Sequence, residues 1–432
     1  MSDGPVFFVA LAHTDTIATF NDIEGISKSR ISNINLFPDR MKENLLFSMS
    51  FDSRIHYETL SSQLDPICSN EGLALENRPP KRMFADCGAF QFRELPRPLL
   101  GEVELNYNIA WNYYEKKHVQ AKHRWSEILL CSPDHIITED MDDEQTQNRY
   151  EFIKENAAPF LEKSKSDARV FAVGVIHGRN IEERKKQYEM FKSMGYEYVA
   201  LGGMVPYSTK QAQVLDIVAG IKDTEAPFIN PESILGRCRK DGIKLHIFGL
   251  NSPEWVRWWH RLQVDSFDGS KLSTEGAANG WYYIPNDGKG KGRDMPLNPI
   301  NVSQLYQRIA VKKMGATDWE WNEHKGLLKP IVPFTEKGVD TTCDCPACQY
   351  LKSSRCTSPQ CWFKKVEQDK HHVSDPRMMG STEHNMGRVA HNAFVFSWLI
   401  EQIQRLNTLA DENEITEENS WLLNWSTIGV SV

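Results

Sequence analysis

The stretch RVFAVGVIHGRNIEERKKQYEMFKSMGYEYVALGG, residues 169–203, decides the fold class of this chain. It begins and ends with short apolar runs that contain β-branched and aromatic residues, RVFAVGVIHG and YEYVALGG. Such runs, bounded by glycine, are typical of buried strands. The charged segment between them, IEERKKQYEMFKSMG (181–195), has the spacing of an amphipathic helix. The order strand, helix, strand predicts a βαβ unit, the repeating element of α/β folds.

Comparable apolar runs recur along the first two thirds of the chain. We predict eight strands, at residues 5–13, 45–51, 82–88, 135–141, 169–178, 196–203, 244–250 and 264–269. Helix-like segments such as SPEWVRWWHRLQ (252–263) lie between them. Eight buried strands that alternate with helices predict an α/β fold, a (β/α)8 TIM barrel over residues 1–280. A two-domain doubly wound protein is the alternative.

The ends of the predicted strands are rich in residues that carry chemistry. In a (β/α)8 barrel the active site lies at the carboxyl ends of the strands. The residues found there are His13, Asp86, Asp140, His177, Gly202, Gly203, Gly249 and Asp268. An isolated acid at such a position is more often a helix cap, so its assignment depends on the motif around it.

The sequence pattern changes after the eighth predicted strand. Residues 281–340 are irregular and rich in Pro, Gly and Trp, and a cluster of cysteines follows them. The segment HNAFVFSWLIEQIQRLNTL (391–409) then predicts an amphipathic helix. We therefore expect residues 281–409 to form an insert plus a zinc-binding subdomain appended to the barrel. Residues 410–432 form an acidic C-terminal tail.

The cysteine cluster reads Cys343-Asp344-Cys345-Pro346-Ala347-Cys348. Three thiolates and one imidazole can complete a tetrahedron around Zn²⁺. Such a zinc is structural, because four protein ligands leave no position for a catalytic water. The candidates for the fourth ligand are His371, His372, His384 and His391. Cys356 and Cys361 lie between the cluster and His391, in a segment that we expect to be an insertion.

Composition limits the compartment and the partners. The chain has 432 residues with 40% hydrophobic and 25% charged residues, an ordinary globular balance. Its nine cysteines fit a reducing cytoplasm better than a disulfide framework. The N-terminal apolar run is interrupted by His13 and Asp15, and no window is apolar enough for a membrane span. We therefore expect a cytoplasmic protein without a signal peptide or a membrane partner.

The net charge of −8 does not indicate a nucleic-acid-binding protein by itself. Contacts to phosphates require clustered Lys and Arg. Two clusters offer them, one in a Gly-rich loop and one beside the cysteines: Lys289, Lys291, Arg293, Lys352, Arg355, Lys364, Lys365 and Lys370.

Several motifs occur in an order that resembles the guanine transglycosylase superfamily. Residues 86–91, DCGAFQ, resemble that family's D-S-G-[GS]-F-Q, and 134–140, DHIITED, resemble D-I-V-M-A-F-D. GVIHG (174–178) lies where the family has G-I-V-Q-G, and ALGGMVP (200–206) is similar to the archaeal I-G-G-V-V-P. Phe267-Asp268 matches F-D, while CDCPAC and His391-Asn392 match the zinc-site motifs.

The resemblance implies a role for each of these positions. Asp268 attacks the sugar C1′ and holds it as a covalent intermediate, and Asp86 transfers protons to and from the bases. Asp140 binds the Watson–Crick edge of the purine, with Asp142 and Asp143 as nearby alternatives. The remaining assignments are a base pocket of His177, Gly203, Met204 and Phe248, and zinc ligands Cys343, Cys345, Cys348 and His391.

One departure from the family pattern concerns the polymer substrate. Bacterial tRNA-modifying members carry P-T-R-N-A-R-N-G after the nucleophile, whereas this chain has STEGAANG (273–280), with Ala278 in place of the second arginine. This resembles the DNA-directed 7-deazaguanine transglycosylases of bacteria and phages. They exchange guanine in DNA for a 7-deazaguanine such as 7-cyano-7-deazaguanine. A homodimer or a DNA-opening partner protein is possible.

Three other functions share some of these features. A tRNA-guanine transglycosylase of the queuosine or archaeosine type differs only in its polymer. A non-catalytic zinc-containing partner subunit would be free to lose its nucleophile, and both Asp86 and Asp268 are retained. A barrel-type zinc hydrolase requires paired histidines such as H-x-H at a strand end, and the predicted strand ends carry none.

Overall fold

The computed structural model describes a little over half of the chain. Side chains are described in residues 4–10, 43–49, 81–100, 102–120, 125–223, 227–269 and 391–404. Backbone alone is described in 18–21, 28–31, 281–285, 297–301, 334–335, 338–339, 381–390 and 405–408. The described residues fall into two compact units. The first contains those at 4–10 and 43–269, and the second contains the rest.

The first unit is a closed barrel of eight parallel strands. The strands are β1 (Val6–Ala10), β2 (Asn44–Ser48), β3 (Arg82–Asp86), β4 (Glu127–Cys131), β5 (Val170–Ile176), β6 (Tyr198–Leu201), β7 (Lys244–Ile247) and β8 (Ser266–Gly269). Each strand pairs with its neighbours in sequence, and β8 pairs with β1 to close the barrel. The predicted (β/α)8 barrel is therefore confirmed, and the doubly wound alternative is wrong.

Helices alternate with the later strands along the chain. They are α1 (Tyr107–Tyr114), α2 (Asp143–Ser164), α3 (Ile181–Met194), α4 (Gln211–Ala219), α5 (Ile234–Asp241) and α6 (Pro253–Leu262). Polar side chains cap the first turns of all of them but α4, as Asn180 does for α3 and Ser252 for α6. Gly195 ends α3 in the left-handed conformation at φ 93°, where a residue with a Cβ is strained. The short caps therefore fix where each helix starts and where the chain returns to the barrel.

The barrel interior is packed with apolar side chains. A buried cluster takes residues from successive strands: Phe8, Leu46, Phe84, Leu129, Cys131, Val173, Val175, Tyr198 and Ala200. Phe8 and Phe84 meet edge to face with their ring centroids 5.3 Å apart. Burying each such side chain stabilises the fold by roughly 1.5–3 kcal/mol. The interior is thus a packed, largely apolar core, and the acidic residues described below lie at the carboxyl ends of the strands.

The fourth predicted strand is wrong. Residues 135–141 form no strand, and the barrel uses Glu127–Cys131 instead. The run HIIT looks like a strand because of its β-branched residues, but it belongs to no strand. Within this run, the carbonyl oxygen of Ile136 accepts a hydrogen bond from the guanidinium of Arg149 and not from a neighbouring strand. The apolar run EILLC pairs on both sides, with β3 and β5, and so replaces it in the sheet.

The second unit contains paired strands and a long helix. The antiparallel pairs are Ala18–Asn21 with Lys28–Ile31, Trp281–Pro285 with Leu297–Asn301, and Phe334–Thr335 with Gly338–Val339. Helix α7 (Ser381–Thr408) packs against Trp281–Pro285 and Ala18–Asn21. The predicted helix at 391–409 is confirmed and begins ten residues earlier. The predicted domain boundaries at 280 and 409 lie outside the described residues and stay a prediction.

Within the described residues, no helix combines the length and the apolar character that a membrane crossing requires.

Candidate active site

Three carboxylates gather at the carboxyl ends of the barrel strands. Asp86 is the last residue of β3, Asp268 lies in β8, and Asp134 follows β4 by three residues. The charges of Asp268 and Asp134 both act on the carboxyl of Asp86. The structure therefore brings together the two acids that the sequence analysis selected, and adds a third that it did not select.

Asp86 is held in a state that can exchange a proton near neutral pH. Burial raises its pKa to about 7, and the charges of Asp268 and Asp134 act in the same direction. Hydrogen bonds from the Ser48 side chain and from the backbone N–H of Gly88, at 2.8 Å, oppose this rise. Gly88 accepts a φ of 77°, which lets the chain turn back and aim its N–H at the carboxylate. Such a carboxyl is suited to general acid–base catalysis.

Asp268 is only 6% exposed, and its two oxygens differ in their surroundings. Oδ1 accepts a hydrogen bond of 2.8 Å from the backbone N–H of Gly249. It also lies 3.3 Å from Nε2 of His246. Oδ2 has no hydrogen-bond partner among the described residues. The carboxylate is therefore anchored through one oxygen and open at the other.

Asp134 forms a buried hydrogen-bonded group with Cys87 and His177. Its Oδ1 lies 2.8 Å from Sγ of Cys87, and its Oδ2 lies 2.7 Å from Nε2 of His177. Burial and the charge of Asp134 raise the pKa of the Cys87 thiol well above its usual range, so the thiol stays protonated and donates. An ionised carboxylate only accepts, so Nε2 of His177 carries the proton. Nδ1 is buried and finds no partner within the described part of the chain.

Two glycines make room for this histidine. A Cβ on Gly202 would overlap the imidazole of His177, and a Cβ on Gly203 would lie 3.5 Å from its Nδ1. Gly203 also has a φ of 66°, a conformation that glycine adopts without strain. His177 and Gly203 are thus neighbours, as expected of two residues that line one pocket.

Asp140 lies apart from the acid cluster. It is exposed, and its Oδ1 accepts a hydrogen bond of 2.5 Å from the Thr138 hydroxyl, which lowers its pKa. Its two neighbours have other partners, since Asp142 caps α2 and Asp143 pairs with Arg179 at 2.7 Å. Sequence reasoning missed Asp134 because it placed the fourth strand too late. The useful signal was its position as the first acid after the apolar run ILLC.

The remaining pocket candidates are aromatic or backbone groups. Phe248 is half-buried, and its ring lies edge to face with Phe84, the centroids 5.5 Å apart. Met204 is fully buried. Phe90, four residues after Asp86, is 49% exposed and lies under the guanidinium of Arg93. Phe90 belongs to the motif DCGAFQ, in which the family resemblance implies no role for it.

The predicted zinc ligands are described only in part. Cys343, Cys345 and Cys348 lie outside the described residues, as does His13. His391 is described, on α7, and is 1% exposed. Within the described residues, no group of three or more His, Cys, Asp or Glu is arranged to hold a metal. The zinc site therefore stays a prediction.

A closed (β/α)8 barrel with clustered carboxylates at the ends of its strands has the architecture of a barrel enzyme. No family model matches the chain. Over 192 residues the chain is 26% identical to the DNA-guanine transglycosylase of Salmonella montevideo. The matched region covers 42% of this chain and 39% of that protein. The chain thus spans about two fifths of the length of this curated relative. The similarity supports the guanine transglycosylase superfamily as the family of this chain.

Proposed function

We propose that this protein is a transglycosylase that exchanges guanine in DNA for a 7-deazaguanine base, such as 7-cyano-7-deazaguanine. The observation that carries the proposal is the pairing of Asp86 with Asp268. One carboxyl exchanges its proton near neutral pH, and the other presents an open oxygen. The DNA-guanine transglycosylase to which the chain is similar supports the same chemistry.

In the first half-reaction, Oδ2 of Asp268 attacks C1′ of the target nucleotide. The C1′–N9 bond breaks, and its electron pair leaves with the guanine. The carboxylic acid of Asp86 gives its proton to the departing base. The products are a sugar ester on Asp268, free guanine and the carboxylate of Asp86. This division of labour resembles that of retaining glycosidases, where one carboxyl attacks and the other transfers the proton.

The second half-reaction runs the same steps backwards with a different base. The carboxylate of Asp86 takes the proton from N9 of the incoming 7-deazaguanine. That nitrogen attacks C1′, and the ester bond breaks with its electron pair returning to Asp268. Asp86 is protonated again, so the enzyme ends as it began.

We assign the reading of the purine edge to Asp134 rather than to Asp140. Asp134 is held by Cys87 and His177 beside Asp86, and each of its oxygens keeps a free lone pair. These lone pairs would accept from N1–H and the exocyclic amine of guanine. Adenine lacks the N1–H donor, so it would leave a buried acceptor unpaired and be rejected.

The rest of the pocket follows from the neighbours of that carboxylate. The backbone of Gly203 and Met204, with His177, would line the pocket beside the purine. Phe248 and the half-exposed Phe90 are the candidates to stack on its faces. Aromatic stacking on an unstacked base contributes about 1–3 kcal/mol.

DNA is the proposed polymer, and it requires that the base leave the double helix before C1′ is attacked. The sequence STEGAANG lacks the arginines of tRNA-modifying members, and the relative is a DNA-guanine transglycosylase. A DNA-opening partner or a second copy of the chain is compatible with this proposal. A tRNA substrate of the queuosine or archaeosine type is the main alternative, and the assay below separates the two.

We also propose a structural Zn²⁺ held by Cys343, Cys345, Cys348 and His391. The spacing of the cysteines supports it, and His391 is a buried histidine on α7. Bound there, zinc would tie the cysteine segment to α7, and no reaction step involves it.

The test is incorporation of labelled guanine, and of 7-cyano-7-deazaguanine detected by mass, into duplex DNA, single-stranded DNA and bulk tRNA in parallel. Asp268→Asn is the inactive variant, and Asp140→Asn is its matched control. Label in DNA that disappears with Asp268→Asn alone supports the proposal. Label in tRNA only would move the function to the tRNA branch, and no label in any polymer would overturn a transglycosylase activity.

A further inference from the structure

A chain of buried hydrogen bonds runs through the barrel interior and ends at Asp268. The hydroxyl of Tyr198 on β6 lies 2.6 Å from Oγ of Ser266 on β8. The same Oγ lies 2.8 Å from Nδ1 of His246 on β7. Nε2 of His246 lies 3.3 Å from Oδ1 of Asp268. Three neighbouring strands therefore contribute side chains to one line of contacts beneath the carboxylate.

The chemistry of the end group fixes the direction of every proton in this chain. An ionised carboxylate only accepts, so Nε2 of His246 must carry hydrogen and Nδ1 must accept. Ser266 therefore donates to Nδ1, and its oxygen accepts from the Tyr198 hydroxyl. Burial raises the pKa of Tyr198, which keeps this hydroxyl protonated. All three donors thus point towards Asp268, and none of the four groups competes with another.

His246 is held in place by an apolar environment. It is fully buried, and its ring centroid lies 4.4 Å from that of Phe84, 4.6 Å from Phe248 and 6.0 Å from Phe8. Burial lowers its pKa, and Asp268 is the charged group that opposes this shift. The imidazole is therefore neutral, with one donor and one acceptor nitrogen in fixed positions.

We infer that His246 is a positioning residue for the transfer reaction. Together with the N–H of Gly249 it holds Oδ1 of Asp268, so that Oδ2 is the oxygen that attacks C1′. This inference rests on the proposed function, in which Asp268 is the nucleophile. His246 does not touch the substrate and acts only through the carboxylate.

Holding one oxygen matters because the terminal torsion of an aspartate is soft and roughly two-fold. Without the hydrogen bonds from His246 and Gly249 to Oδ1, the carboxylate would rotate and Oδ2 would no longer point at C1′. A displacement of about 1 Å can reduce a rate by roughly a hundredfold. After attack, Oδ1 becomes the carbonyl oxygen of the ester and keeps the same two donors. When the ester breaks, they receive the returning negative charge without rearrangement.

Two substitutions of His246 distinguish its role in positioning Asp268 from a role in packing the core. His246→Leu keeps an apolar side chain of similar reach and removes the donor, whereas His246→Gln keeps an N–H group at nearly the place of Nε2. We expect His246→Leu to lower kcat about a hundredfold, with KM for guanine and for DNA changed less than about threefold. We expect His246→Gln to recover at least a tenth of the wild-type kcat. Thermal melting of both variants shows the share of folded protein.

A second measurement does not depend on activity. In protein labelled with ¹⁵N-histidine, the His246 signals, assigned by their loss in His246→Gln, report the tautomer. We expect the neutral Nε2–H form at pH 7.5, a shifted Nε2 signal in Asp268→Asn and a mixture of tautomers in Ser266→Ala.

The outcomes are distinguishable. A Nδ1–H tautomer, an imidazolium ion, or a folded His246→Leu variant with wild-type kcat would overturn the role of His246 while the proposed function stands. An inert wild-type protein on every polymer, with the Nε2–H form present and sensitive to Asp268→Asn, would overturn the proposed function instead. Loss of kcat in His246→Leu with rescue in His246→Gln supports both.

Discussion

Asp134 and His177, which lie at the ends of neighbouring barrel strands, are joined by a buried hydrogen bond of 2.7 Å between Oδ2 and Nε2. Both residues are buried. The bond fixes the tautomer of the imidazole and the orientation of the carboxylate before any base arrives. The carboxylate of Asp134 is therefore a hydrogen-bond acceptor whose orientation is set in advance.

The first prediction concerns the identity of the base-reading acid. We expect Asp134→Asn to lower kcat/KM for guanine by a factor of about 100 or more, because the amide turns one acceptor into a donor that faces N1–H. Asp140→Asn should change it less than about threefold, since Asp140 is exposed and bonds to Thr138. Base-exchange kinetics on both variants decide the matter, with melting curves as the check on folding. Equal losses in the two variants would contradict this assignment.

The second prediction is the pH dependence of the first half-reaction. Asp86 must be protonated to donate to the leaving guanine, and burial raises its pKa to about 7. We therefore expect kcat/KM for the polymer to fall about tenfold per pH unit above that value. Release of labelled guanine between pH 5.5 and pH 9 measures this. A profile that stays flat up to pH 9 would show that another group supplies the proton.

The third prediction links the same residue to stability. Because folding raises the pKa of Asp86, the folded protein holds this proton more tightly than the unfolded chain does. Its contribution to stability is therefore lost as the pH rises from about 4 to about 7 and remains lost above that. We expect Asp86→Asn to raise Tm by a few degrees at pH 8 and to leave it nearly unchanged at pH 4.5, while abolishing activity. An equal gain at both pH values would point to a cause other than the charge.

The fourth prediction tests the space that Gly202 leaves for His177. Gly202→Ala should lower the free energy of unfolding by about 1–3 kcal/mol, because the new methyl overlaps the imidazole. Much of that loss should vanish when His177→Ala is present as well, since the clash is then removed. Urea unfolding of the two single variants and the double variant gives the coupling energy. Additive losses would mean that the methyl clashes elsewhere, for example with Val175.

The fifth prediction concerns the metal. We expect one Zn²⁺ per chain in the purified protein, lost in Cys345→Ser and retained in Cys356→Ser. The two thiols lie eleven residues apart, but only the first belongs to the proposed ligand set. Elemental analysis after dialysis against a mild chelator gives the metal content. Retention of a full equivalent by Cys345→Ser would exclude it from the site.

The barrel could be predicted because its strands are short apolar runs that differ sharply from the charged helices between them. The acids at the ends of β3 and β8, Asp86 and Asp268, came with that pattern. The fourth strand could not be placed by composition, since HIIT and ILLC have similar β propensity and only pairing with the neighbouring strands separates them. That single error moved the acid at the strand end from Asp134 to Asp140.

Side-chain contacts between strands that are distant in sequence could not be predicted, for a different reason. Tyr198 and Ser266 are 68 residues apart, and no local pattern shows that their hydroxyls meet. His246 sits in an apolar run and looks like a core histidine, which it also is. Its significance arises only when closure of the sheet places it below Asp268.

Gly249 sets a limit on how this site can be redesigned. Its main-chain N–H holds Asp268, and a Cβ at that position would come within 2.6 Å of Val205. The donor is a main-chain group, so among substitutions at position 249 only proline would remove it. Val205 is 46% exposed and can accept other side chains, whereas position 249 requires glycine. The fold thus separates a part of the site that is open to evolution from a part that is not.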